Sequence, residues 1–88
     1  MRFEMGGAEI ASMAERQPSG EGLFELGLVY ATGREVETDL VAAHKWFNLA
    51  AIRGNAEAAL YRQEVALEMT KVAIAEAQRA AREWLRTH

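Results

Sequence analysis

Cysteine is absent from the 88 residues, which removes disulfides, thiolate metal ligands and a cysteine nucleophile together. A basic excess is missing too. Ten Lys and Arg stand against thirteen Asp and Glu, a formal charge of −3, so there is no field to draw in a phosphate backbone. The few aromatic residues are not interleaved with cations, and nucleic acid is not an expected partner. No apolar run is long enough for a membrane span, and the opening Met1–Gly7 carries an early acid, Glu4, instead of a signal-peptide core. A soluble cytoplasmic protein is the expectation. The two histidines, His44 and His88, fall in no His-x-x-x-His or His-x-x-Glu spacing, so no metal site is expected and His44 reads as a partly exposed helical residue. Ser12 and Ser19 lack the G-x-S-x-G context of an activated serine. Glu35, Glu37 and Asp39 alternate within one loop, where acids are solvated and their pKa values are not driven apart as an acid/base pair requires. Neither catalysis nor a cofactor is expected.

What is present is helix. Half of the residues are apolar, with an excess of alanine, which permits close helix contacts but supplies little buried area per side chain. Residues 1–17 place Met5, Ile10, Met13 and Ala14 on a loose stripe, a short amphipathic helix from about residue 6. Pro18 stops it, and Ser19 is placed to cap the next. A helix over 20–31 follows, with Leu23, Leu26, Gly27 and Tyr30 at i, i+3, i+4, i+7, and Phe24, Leu28 and Val29 widening the stripe until it needs neighbours on two sides. Gly33 is its C-cap and Asp39 the N-cap of a helix over 40–53, which Gly54 ends. A third helix is expected over 56–69 with Ala58, Tyr61, Val65 and Met69 in line. Thr70 caps a last one over 71–86, whose face is Ile74, Ala77, Ala81, Trp84 and Leu85 and whose Arg79, Arg82 and Arg86 lie toward its C-terminal end.

Gly27 is the informative residue. A glycine inside a helix costs about 1 kcal/mol relative to alanine, and the compensation expected is the close approach of a neighbouring helix. Leu26, Gly27, Tyr30, Gly33, Val36, Asp39, Ala43, Trp46, Ala50, Ala51 and Gly54 together follow the pattern LGxxYxxGxGV, then D, then AxxW, AA and G. In this spacing the chain resembles the Sel-one-like repeat (SLR) family, relatives of the tetratricopeptide repeats. One position departs: Glu35 stands where the family has its second loop glycine. The resemblance covers one unit, and the chain is expected to hold a degenerate half repeat over 1–17, an intact helix pair over 18–54 and a degenerate second pair over 55–88 that acts as a C-terminal cap. Ala80-Ala81-Arg82-Glu83-Trp84-Leu85 repeats Ala42-Ala43-His44-Lys45-Trp46-Phe47, which makes the last helix a worn copy of the one over 40–53. The third helix would be a worn copy of the one over 20–31, with Arg62-Gln63 in place of Leu26-Gly27. The expected fold is all-α, a short α-α superhelix (solenoid) of antiparallel helix pairs.

The resemblance implies an adaptor or scaffold module that holds a partner protein or peptide on the surface lined by the first helix of each pair. Leu26, Gly27, Tyr30, Gly33, Asp39, Ala43, Trp46, Ala50, Ala51 and Gly54 should then be structural, leaving Glu21, Glu25 and Leu28 to meet the partner. Trp46, Trp84, Phe47, Phe24 and Tyr30 suit either a binding hot spot or a core, and their helical spacing favours the core. Arg79, Arg82 and Arg86 form a flank that would attract an acidic partner or remain a solvated face paired with Glu76 and Glu83. A second possibility of another class is a self-associating structural protein, a homodimer through apolar helix faces, because one full repeat falls short of the roughly three units a solenoid needs. A small hydrolase or metal enzyme is the poorest fit.

Overall fold

The computed structural model describes residues 19–88; the helix expected within 1–17 lies outside the described residues. Four helices follow: α1 (Gly20–Thr32), α2 (Leu40–Ile52), α3 (Ala56–Ala66) and α4 (Lys71–Thr87). The all-α expectation holds for the described residues, and no helix among them is long and apolar enough to cross a membrane.

Each start is set by a side chain that accepts a hydrogen bond from an amide left without a helical partner. Ser19 Oγ accepts from Gly22 N–H at 3.0 Å, Asp39 Oδ1 from Ala42 N–H at 3.0 Å, and Thr70 Oγ1 from Ala73 N–H at 3.0 Å. The sequence reading missed a fourth cap, Asn55. Its Oδ1 accepts from Ala58 N–H at 3.0 Å, while its Nδ2 donates to Gly20 O at 3.4 Å and ties the start of α3 to the start of α1. Gly33 ends α1 in the left-handed region at φ 72°, with its N–H donating to Val29 O at 3.1 Å. Asp39 N–H then reaches back to Tyr30 O at 3.0 Å, so the end of α1 and the start of α2 are stitched together. Glu35 within that loop has φ 67°. It adopts the backbone that glycine favours. The third helix ends at Ala66 rather than near 69. Glu68 N–H donates to Val65 O and Met69 N–H to Ala66 O, and these tighter i to i+3 bonds turn the chain before Thr70.

α2 is the centre. It packs against α1, α3 and α4, whereas α3 and α4, consecutive in the chain, barely touch. The core joins Leu23 and Leu26 of α1 to Ala43, Trp46, Phe47, Leu49 and Ala50 of α2, with Ala58 and Val65 from α3 and Ala81 and Trp84 from α4. Each large side chain fully buried here stabilises the fold by about 1.5–3 kcal/mol. The rings of Trp46 and Trp84 meet edge to face at 6.0 Å and 83°, locking α4 onto α2. The alanines let the helices close around these rings.

Candidate functional site

α1 has two faces. Leu23, Leu26 and Gly27 are buried, and a Cβ on Gly27 would lie 2.4 Å from both Cδ1 and Cε1 of Phe47. The expected close approach is present, but what approaches is an aromatic ring rather than a helix backbone. Phe24 lies beside it, 5.7 Å from the Phe47 ring and 5.1 Å from that of Tyr61. α1 is thereby clamped between α2 and the Tyr61 side of α3.

On the other face, Glu21, Glu25 and Leu28 follow one another at i, i+4, i+7, a single line along the helix. Glu21 and Glu25 are exposed, and Leu28 is half-buried against the core. Glu25 pairs with Arg34 at 3.7 Å, both side chains more than half exposed, a contact worth little in water. Glu21 also borders a shallow open depression between the starts of α1 and α3, along with Gly20, Arg53 and Asn55. The three expected contact residues thus share a line on a helix whose reverse side is fixed.

The remaining residues of the repeat pattern occupy the interior and the helix ends. Leu26, Ala43, Trp46 and Ala50 are buried, Tyr30 and Ala51 are half-buried against the core, Asp39 caps α2, and Gly33 and Gly54 have positive φ. Phe47 and Trp84 are core residues, as the helical spacing indicated.

His44 is a correction. The sequence reading made it partly exposed, yet only 4% of its surface reaches solvent and its Nδ1 has no hydrogen-bond partner. Because α2 is packed on three sides, it has no flank to leave open. α3 covers the side that carries His44: Arg62 Nη1 donates to Asn48 Oδ1 at 2.7 Å, one helical turn further on. Burial pushes the imidazole below its usual 6.5, and the Arg62 guanidinium pushes the same way by disfavouring a second positive charge. Among the described residues, no group of three or more His, Asp or Glu side chains is placed to hold a metal ion. Glu35, Glu37 and Asp39 are exposed, and Asp39 is already engaged as a cap.

The structure also exposes large apolar residues to which the sequence reading assigned no role. Leu60 is 63% exposed, Leu67 87% and Val72 79%. Leu60 and Leu67 are seven apart, on a different line from the Ala58, Tyr61 and Val65 stripe. That second line was the signal available.

A scan against protein-family models, a search of curated proteins and a search of solved structures each return no match.

Proposed function

We propose that this chain is a protein–protein interaction module that holds a partner protein or peptide on the outer face of α1, and that it carries no reaction. The observation that supports it best is the two-sided construction of α1. Glu21 and Glu25 are exposed on one line that the half-buried Leu28 continues, and the opposite face is clamped by Phe47 beneath Gly27, so a partner would meet a rigid surface at small entropic cost. Within this reading α1 and α2 are the intact unit of a short solenoid, α3 and α4 are its altered second unit, and the spacing from Leu26 to Gly54 keeps its resemblance to the SLR pattern. The test compares capture by the unaltered chain with capture by a Glu21→Lys, Glu25→Lys, Leu28→Ser variant of equal helicity. A partner held by the first and lost by the second is the expected result; identical sets would refute the assignment to this face.

A second reading, self-association, is favoured by a separate observation, the bare leucines of α3. Leu60 and Leu67 form an apolar line that no other described helix covers. A melting temperature that rises with protein concentration would support it.

A further inference from the structure

The outer faces of α3 and α4 carry opposite charges in rows of matching length. On α3, Glu57, Leu60 and Glu64 follow the i, i+3, i+7 rule, and Leu67 and Glu68 continue their line in the turn that ends the helix, all of them exposed. The one cation of this helix, Arg62, is turned away onto Asn48. On α4, Val72, Arg79, Arg82 and Arg86 share one side, also exposed throughout, and the exposed acids Glu76 and Glu83 border it next to Arg79, leaving that side one positive charge in excess. Glu57 and Glu64 lie two turns apart, and so do Arg79 and Arg86, about 10 Å in each helix at 1.5 Å per residue. Like charges at i, i+3 or i+4 repel, and Arg79, Arg82, Glu57, Glu64 and Glu68 make no ion pair among the described residues. Arg86 holds Glu83 at 2.8 Å, an exposed contact weak enough to be shared. Within one chain the rows cannot neutralise each other, because α3 and α4 barely touch.

We propose that a second copy of this chain supplies the missing neighbour, with the Glu-Leu stripe of α3 docked on the Arg stripe of the other copy's α4 and the reverse contact made at the same time. A two-fold axis makes the two contacts equivalent and closes the assembly at two chains. The leucines are removed from water and six carboxylates meet six guanidiniums. This rests on the self-association reading and names its surface. Because the charges remain at the rim of the contact, the pairing is sensitive to salt.

Light scattering on the full chain, over a range of concentration at low and at high salt, should give the mass of two chains at low salt and one chain on dilution or at high salt. Glu57→Lys with Glu64→Lys, or Arg79→Glu with Arg86→Glu, should each weaken the pair at least about tenfold while leaving far-ultraviolet helicity unchanged. An equimolar mixture of the two variants should restore the mass of two chains, since each reversed row then meets its opposite. The salt series needs no variant and stands if one of them fails to fold. A single-chain mass at every concentration would overturn both the proposal and the self-association reading. A two-chain mass unaffected by salt and by both reversals would overturn only the proposal and leave the copies joined by another face.

Discussion

The two consecutive helix pairs, α1 with α2 and α3 with α4, share the Ala-Ala-x-x-Trp spacing of their second helices and are closed differently. In the first, Gly27 has no side chain, and the Phe47 ring occupies the space so completely that a methyl group would lie 2.4 Å from it. In the second, Gln63 takes the place of Gly27, Leu85 that of Phe47, and Leu85 is 38% exposed. The loops differ likewise. Gly33 and Glu35 both take positive φ in the first, and Asp39 is bonded back to Tyr30, whereas α3 ends in a tight turn with no left-handed residue. A pair of helices closes when a ring on one fits a gap on the other. Without that fit the same alanines and tryptophan still attach α4 to α2, but α3 is left with its leucines outside.

The largest effect that would break this contrast is expected from Phe47→Ala, about 4 kcal/mol, most of the stability of a chain this size. Leu85→Ala, its counterpart, should cost less than about 0.5 kcal/mol. Equal urea midpoints for the two variants would remove the contrast. Gly27→Leu follows at about 3 kcal/mol through overpacking against the ring; an unchanged melting temperature would show that the gap does not matter. Glu35→Gly should act in the opposite direction and stabilise the first pair by about 1 kcal/mol, because glycine adopts positive φ without the clash a Cβ brings. A loss of stability there would mean that the glutamate side chain contributes more than its backbone strain takes away.

The smallest effect concerns pH at the seam between α2 and α3. The folded-state pKa of His44 lies below its ordinary 6.5, so above pH 6.5 the imidazole is neutral in both states and its packing contribution is complete. As pH falls below that value the unfolded chain takes up the proton first, and stability declines until the folded pKa is passed. Urea midpoints measured on either side of pH 6.5 should therefore differ in the acid direction for the unaltered chain and differ less in His44→Gln.

The sequence told most about the first pair. Ser19, Gly33, Asp39 and Thr70 were legible as caps because capping is local chemistry, and the line through Leu23, Leu26, Gly27 and Tyr30 identified the buried face of α1. His44 was misplaced because its burial depends on how many neighbours α2 has, a property of the whole assembly and not of any window along the chain. Asn55 was missed for the opposite reason: its position directly after Gly54 made it look like part of the stop signal, and the same side chain starts α3. As to the candidate site, the spacing put Glu21, Glu25 and Leu28 on one line, but the charge rows of α3 and α4 gained meaning only once those helices were found apart.

That α2 packs against all three other helices has a consequence for how the chain opens. α4 is fastened to α2 and hardly to α3, whereas α3 is tied to α1 as well, through Asn55 and Tyr61, so α4 can detach in a fluctuation that leaves the rest in place. The amides of α2 are released only when every neighbour has gone, so hydrogen exchange there should report the global opening, while those of α4 exchange earlier. Among the described residues, a protease would find its first cut at the exposed turn between α3 and α4.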